Sequence, residues 1–543
     1  MPEASEESTS PGVSRRGVLA GAGAAAVTLL GTSDAEAQAA PEVFGPVTVR
    51  PGDLRYDNLL RGNNFRFAGR PDEIRVVGST EQVVRAVQDA VRTGRRVAVR
   101  SGGHCFENLT ADPAVRMLLD LSPMDAVGYD AGRRAFSVQP GATLGHVYRT
   151  LLTGWGVTIP GGSCPEVGAG GHFAGGGYGA LSRRYGSVVD HLYGVEVVVV
   201  DRDGTARAVV ATREPDDPNR ELWWAHTGGG GGNFGVVTRY WLRSPGATGS
   251  DPSRLLPAAP GRMLQYVAIW SWDQMTEQAL TGLMRNFGTW HERNSAPGSP
   301  HAGLYGILLV SHRAGGTVTL VAQIDADLPG ADGMVTAFVS EVTAGVGPTP
   351  AFDLRRTMPW LHRMTWPGSG EPGDVLNRRY KIKAAYLRRS LTDSQLAAVY
   401  RNLTNSTGGP DSGMLLIGYG GQVRAVAPGA TATAQRDVVM KAVYQTIWRD
   451  EADDAANLTW VREFYRDVYA GTGGVPVPGE VDDGSYINYP DADLADPAWN
   501  TSGVPAHTLY YKDNYPRLQR VKARWDPRNV FRHALSIEPP QAG

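Results

Sequence analysis

The sequence predicts an α+β protein, with a mixed N-terminal part followed by a middle part in which an antiparallel sheet is covered by helices. Three observations carry this prediction. Residues 74–104 pass through strand, helix, strand and turn patterns, runs of β-forming residues between 300 and 420 include a pair joined by a Gly-Gly turn, and amphipathic helical runs lie among them. At 543 residues the chain is long enough for two or more domains with sizeable cores. Its 53 Lys and Arg against 55 Asp and Glu leave a net charge of -2, so nothing in the composition points to a nucleic acid or an anionic membrane as partner. A small neutral substrate fits better. The 68 glycines are clustered, and because glycine loses the most backbone entropy on folding, such clusters mark places where the backbone approaches something closely.

At the N-terminus, Ser14-Arg15-Arg16-Gly17-Val18-Leu19 opens an uncharged run to Gly31, followed by Ala35-Glu36-Ala37. The run is too short and too rich in Ala and Gly to span a membrane well, and a small-x-small sequence follows it. Residues 1–39 therefore read as a twin-arginine signal peptide and processing region, cut after Ala37 or Ala39. The expected product is secreted, exported in its folded state by the twin-arginine translocase, and free of stable membrane association once the signal is removed. Two cysteines, Cys105 and Cys164, are few for an exported protein, so size rather than disulfides must stabilise the fold.

The 74–104 unit reads as strand IRVV, then Ser79 with Gln82 as a capping box, helix TEQVVRAVQDAVR stopped by Gly94, strand RRVAVR and the turn Ser101-Gly102-Gly103-His104. Short strands follow at AFSVQPGA and VEVVVV. Residues 244–262, rich in Pro, Gly and Ser, read as a crossing between domains, and 470–485 as a second. Between them lie strand runs GLYGILLV, TVTLVAQID and GMLLIGY, and helical runs DQMTEQALTGLMRNF and TDSQLAAVYRNLT. The expected domains are 40–250 and 251–485, with a C-terminal segment, 486–543, too small to fold alone and expected to pack back on the first domain.

Chemistry concentrates in residues 161–179, GGSCPEVGAGGHFAGGGYG. A loop this glycine-dense lets backbone N–H groups approach a phosphate or a flat ring system. A second run at 228–235, GGGGGNFG, is expected to line the same cavity. Gly175, Gly177 and Ala180 match the spacing of a dinucleotide fingerprint, but no hydrophobic strand precedes them and no acidic residue is suitably placed after a second strand, which argues against a Rossmann site. No Walker loop is present, and two cysteines with scattered histidines give no zinc motif, so no metal is expected.

RSGGH at 100–104, the two glycine runs, YINYPD at 486–491 and YYKDNYPRLQRVKARWDPRNVF at 510–531 resemble, in order, the berberine bridge enzyme-like family of the vanillyl-alcohol oxidase superfamily. Within it the nearest likeness is to exported actinobacterial members of the aclacinomycin oxidoreductase type, with glucooligosaccharide oxidases next. The resemblance implies a PCMH-type FAD-binding domain at 40–250, a substrate-binding domain at 251–485 and a C-terminal segment typical of the family. It also implies FAD attached covalently twice, through His104 to the flavin's methyl carbon and through Cys164 to the neighbouring ring carbon. The remaining cofactor-binding residues on the matching motifs are Arg100, Ser101, Gly102, Gly103, Val167, Gly168, Gly170, Gly171, Gly175, Gly231, Asn233, Gly235, Val236 and Asn488. Imidazole and thiolate are side chains suited to attack an electron-poor ring, and both sit on glycine turns. Cys105 matches nothing in that pattern and reads as a small buried apolar residue, and His172 reads as structural.

Oxidation of an alcohol needs a base that takes the hydroxyl proton as hydride leaves for the flavin. By the resemblance this base is Tyr489, with Tyr178 and Tyr419 approaching the substrate side. A tyrosine titrates near pH 10 unless a cation or hydrogen bonds lower it, and Lys383, in YKIKAAY, is a candidate for that cation. Val167 matches the family's oxygen gate, where valine leaves access for O2, so the expected enzyme is an oxidase of a sugar or glycoside hydroxyl that returns H2O2. A dehydrogenase of the same fold and a non-catalytic flavin or carbohydrate carrier are the alternatives. The retained Tyr489, His104 and Cys164 argue against the carrier.

Overall fold

The protein is described by a computed structural model over residues 43–365 and 378–540, so the leader expected at 1–39 lies outside the described residues. The 74–104 unit supplies the second and last strands of a four-stranded sheet ordered Val47–Val49, Glu73–Val76, Met117–Asp120, Val97–Arg100. The last three strands run parallel, which requires a crossover, and helix Thr80–Thr93 supplies it. Val83, Ala86, Val87 and Ala90 recur at helical spacing and are buried. The Ser79 side chain accepts the Gln82 N–H, and Gly94 ends the helix in the left-handed conformation. The capping box closes only on one side, because the Gln82 amide carbonyl accepts from Gly78 N instead of Ser79 N.

A five-stranded sheet follows, ordered Val127–Asp130, Ala135–Val138, Val236–Leu242, Leu192–Val200, Ala206–Thr212, with every pairing antiparallel. The third sheet has seven antiparallel strands, ordered Phe352–Pro359, Arg262–Ser271, Thr317–Asp325, Tyr305–Ser311, Gly413–Gly418, Met440–Trp448, Arg379–Leu387. Helices Glu277–Arg293, Ala331–Thr343, Asp393–Thr404 and Asp454–Val468 pack with it. Because side chains alternate along a strand, each strand sends every second residue to those helices and the others to the opposite side. Gly306 belongs to the helix face, where an added Cβ would lie 3.0 Å from the Phe338 ring and 3.3 Å from Phe287. Tyr305 and Ile307 turn the other way, into a cluster with Tyr178, Tyr419 and Tyr486.

Strand Arg379–Leu387 is a sheet edge, and unpaired edges invite aggregation. Here the edge is covered. Asn64 bonds both the N–H and the carbonyl of Tyr380, Phe65 N donates to Arg378 O, and residues 481–484 bond Tyr386 and Arg388 through Val481 O, Asp483 N and Gly484 O. Part of the stretch expected as a second crossing thus extends the sheet. The C-terminal segment returns to the N-terminal part, as Lys522 Nζ donates to Asn233 O at 2.7 Å and Ile537 N to Asn233 Oδ1 at 3.0 Å.

Two loops meet where the site lies. The 100–104 turn and the 161–175 loop touch backbone to backbone, so that a Cβ on Gly102 would lie 2.4 Å from Gly168 N and one on Gly168 2.3 Å from Gly102 N. Ser101 Oγ and Gly170 N both bond Pro140 O, at 2.5 and 3.0 Å, which threads the 140–142 segment between the loops. Neither backbone can yield without breaking these bonds. Gly102→Ala should therefore destabilise the protein by about 1–3 kcal/mol in chemical denaturation, the usual cost of overpacking, whereas Gly128→Ala, with nothing within 4 Å of its Cβ, should stay near neutral.

Candidate active site

His104 and Cys164 sit at the tips of these interlocked loops, both half-buried. Cys164 Sγ lies 3.5 Å from Glu166 Oε2, and the Glu166 carboxylate also acts on His104, so all three share one small neighbourhood. Burial pushes the His104 imidazole below its ordinary pKa, against the opposing pull of Glu166. It is neutral at neutral pH, with a ring lone pair available. Neither cysteine is in a disulfide. Burial pushes the Cys105 thiol up to about 11, which leaves it protonated, in keeping with a packing role.

The Cys164 loop is held from beneath. Tyr148 OH donates to Gly162 O at 2.6 Å, while Gly162 N donates to His172 Nε2 at 3.1 Å, and Leu144 N and Gly145 N bond Val167 O and Pro165 O. His172 is structural, as expected. Val167 is half-buried and packs against the main core.

The expected cofactor glycines divide by what their missing side chains leave room for. At Gly102, Gly168, Gly170 and Gly175 a Cβ would strike protein: Gly175 would place one 1.9 Å from Asn488 Oδ1, whose amide Nδ2 donates to His172 O. Gly103 takes a left-handed turn, with φ +74, that presents its carbonyl to Asn63 N. Gly235 packs its backbone against Val198 O and Val236 opens the strand that follows. By contrast, a Cβ on exposed Gly171 would meet nothing within 4 Å, and one on exposed Gly231 only Ala174 Cβ at 4.0 Å. Open space therefore lies along both glycine runs beside helix Ala169–Ala174, with a neutral imidazole and the Cys164 thiol near the same loops. These features fit a flat, electron-poor dinucleotide cofactor. Two of the expected residues engage protein with their side chains. The Arg100 guanidinium binds Asp120 Oδ2 and Leu59 O, and the Asn233 side chain bonds Gly229 O and Ile537 N.

The three expected tyrosines come together. Tyr178 OH and Tyr489 OH share a hydrogen bond at 2.7 Å, and the Tyr178 and Tyr419 rings meet edge to face at 5.6 Å. The Tyr419 hydroxyl is bonded to Ser187 Oγ at 3.1 Å, and burial pushes it up to about 12. Phe106, two residues from His104, stacks on Tyr489 at 5.3 Å, while Tyr486 OH receives Gly177 N and Asn488 Nδ2.

The cation among these rings is Lys441, not Lys383. Lys441 Nζ lies 3.2 Å from the Tyr178 ring centroid, 3.8 Å from Tyr486 and 4.4 Å from Tyr419, with no hydrogen-bond acceptor among the described residues. Lys383 Nζ instead binds Asp491 Oδ2 at 2.6 Å and Asp493 Oδ2 at 2.9 Å and lies over the Tyr465 ring. Strand parity explains the exchange. Lys383 pairs across the sheet with Tyr444, which packs on helix residues Phe464 and Tyr465, whereas Lys441 pairs with Tyr386 on the opposite face. The signal was present in VVMKAVY, where alternation places one lysine among apolar residues, but the segment carries no glycine or motif to draw attention to it. Burial drives the pKa of the Lys441 ammonium down and that of the Tyr178 phenol up, and an ammonium and a phenolate formed side by side would stabilise each other.

Residues 71–209 match the FAD binding domain family and residues 485–538 the berberine and berberine-like family. Aclacinomycin-N/aclacinomycin-A oxidase of Streptomyces galilaeus is 54% identical over 543 residues, covering 97% of this chain and 98% of that protein. Hexose oxidase of Chondrus crispus is 33% identical over 533 residues, covering 89% of this chain and 93% of its own. A crystal structure of a glycopeptide hexose oxidase complexed with teicoplanin superposes with a TM-score of 0.88 at 52% identity, over 92% of this chain and 100% of that one. Fold and loops define an FAD-linked oxidoreductase with a PCMH-type FAD-binding domain. The chain belongs to the berberine bridge enzyme-like family of FAD-linked oxidases.

His172 provides a pH test of the loop. Burial, with Lys441 adding to it, holds its imidazole at about 4, below the ordinary value of 6.5. The unfolded chain therefore binds the proton more readily between those values, and the stability contributed by neutral His172 is lost as pH falls from 6.5 toward 4. Asp482 and Asp483, raised to about 6, act in the opposite sense, so the comparison must be between variants. The drop in melting temperature between pH 7 and pH 4.5 should be smaller in His172→Gln than in the unsubstituted protein.

Proposed function

We propose that this chain is a secreted oxidase that holds FAD through both His104 and Cys164 and oxidises a hydroxyl group of a sugar or glycosylated natural product, with O2 as final acceptor and H2O2 released. The observation that carries the reading is the Tyr489–Tyr178 hydrogen bond at 2.7 Å above Lys441, on the flank of the two interlocked loops. When bound, FAD accepts the hydride. The chain's own residues handle the proton. The tyrosine pair gives one proton to Lys441, and the resulting phenolate, shared between Tyr489 and Tyr178, takes the proton of the substrate hydroxyl as the C–H electron pair leaves, so the alcohol becomes a carbonyl. The apolar wall of Ile307, Leu415, Ile417 and Val443 beside the tyrosines excludes water, which strengthens the ammonium–phenolate attraction.

The relatives support the substrate class, as their names concern aclacinomycin, a hexose and a glycopeptide. The family's use of valine as an oxygen gate supports O2 at Val167, and the Ser14–Leu19 motif supports twin-arginine export. The test is anaerobic bleaching of the flavin by a panel of free hexoses, aclacinomycin and teicoplanin, followed by peroxide measurement in air. At least one compound should reduce the flavin and yield peroxide. Tyr489→Phe should slow that reduction by about 10²–10⁴-fold. Lys441→Met should slow it about tenfold and move the rate profile to higher pH, because the phenolate loses its cation. A panel that leaves the flavin oxidised, or a Tyr489→Phe variant of full speed, would count against the reading.

A further inference from the structure

On the helix side of the edge strand, six ionisable side chains are gathered with balanced charge: Lys381, Lys383 and Arg462 against Glu107, Asp491 and Asp493. Lys381 Nζ binds the Glu107 carboxylate, Asp491 Oδ1 at 2.7 Å and Asp493 Oδ2 at 3.4 Å. Lys383 spans Asp491 and Asp493, and Arg462 grips Asp493 with two bonds, at 2.8 and 3.0 Å. Lys381 and Asp491 are almost completely buried, at 2% and 0% exposure. A buried network like this adds little to stability over a well-packed apolar core, so its presence calls for another reason.

The reason lies in what the three segments carry. Glu107 stands three residues after His104 and next to Phe106, the ring stacked on Tyr489. Asp491 stands two residues after Tyr489, and Lys381 is on the edge strand next to Tyr380, which meets Phe106 edge to face at 5.5 Å. Residues 486–491 are neither helix nor sheet strand, so no regular backbone ladder fixes the direction of the Tyr489 side chain. Its loop is held instead from both sides of the edge strand. On one face Phe106 packs on the ring, and on the other Glu107 and Asp491 meet at a single ammonium.

We propose that Lys381 is a positioning residue that ties the His104-bearing segment to the Tyr489-bearing segment and so sets the phenol of Tyr489 against the site. The inference rests on Tyr489 as proton acceptor. Effective proton transfer requires hydrogen-bond reach, and a displacement of about 1 Å costs on the order of 10²-fold in rate. Lys381 holds the carboxylates that stand beside these two segments. It acts through the loop.

The test compares three flavin-loaded variants with the unsubstituted enzyme, using the panel compound that reduces it fastest. Lys381→Met leaves an excess buried carboxylate, and Lys381→Met/Glu107→Gln removes the knot while restoring charge balance. Both should keep the flavin spectrum and hold KM within about threefold, while kcat for anaerobic flavin reduction falls about 10- to 100-fold. The double variant should regain thermal stability lost by Lys381→Met without regaining kcat. Recovery of kcat together with stability, or a kcat within twofold in the double variant, would overturn the positioning role. Should Lys381→Met fail to fold, the double variant alone decides. Tyr489→Phe is the third variant. If it reduces its flavin at full speed, the proton-acceptor assignment fails; if it is slow while the double variant is fast, only the positioning inference fails.

Discussion

The backbone contact between Gly102 and Gly168 is the constraint on which the site depends. Each glycine occupies a position where a Cβ would overlap the other's main chain, and Ser101 and Gly170 anchor on the same carbonyl of Pro140. Two loops separated by some sixty residues are thereby fixed at one meeting point, with an imidazole at the end of one and a thiol in the other. Glycine density in this protein serves two ends. Some positions let backbone touch backbone, and others, such as Gly171 and Gly231, leave open space beside the loops. Only at the second kind does the missing side chain itself leave open space.

The seven-stranded sheet organises the charges by parity. Lysines on its edge strand face the helices and are neutralised there by carboxylates, while Lys441 on the neighbouring strand faces the tyrosines with no hydrogen-bond acceptor among the described residues. A lysine kept away from carboxylates in an apolar, aromatic cage remains available to balance a phenolate. One placed among Asp491, Asp493 and Glu107 is already spent. The same rule of alternating side chains separates a structural ion cluster from a chemical one within adjacent strands.

Much of this was legible in the sequence, and what was not has physical reasons. Helix Thr80–Thr93, strand Thr317–Asp325 and helix Asp393–Thr404 fall where periodicity and capping residues placed them, because local signals decide local structure. Strands Arg262–Ser271 and Met440–Trp448 escaped, since buried strands with few turn residues give no punctuation. The helix expected from Asp273 begins instead at Glu277, where Thr276 supplies the cap. In the site, motif residues His104, Cys164, Tyr178, Tyr419 and Tyr489 were readable, and the structure brings the tyrosines together. Lys441, Phe106 and the Glu107–Lys381–Asp491 knot were not, because their roles come from which face of a strand they occupy and from contacts hundreds of residues apart.

In the proposed function, interlocked loops hold a flavin at two points, and a tyrosine pair balanced by a buried lysine takes the substrate proton beside it. That function requires His104 and Cys164 to reach the same ring. The most direct measurement is the flavin colour retained by acid-precipitated protein in His104→Ala, Cys164→Ala and the double variant, together with peptide mapping of the unsubstituted chain. Colour is expected in each single variant and none in the double variant, with one flavin joining the His104 peptide to the Cys164 peptide. Unmodified peptides at both positions, or complete loss of colour from the unsubstituted protein on precipitation, would contradict the proposed function.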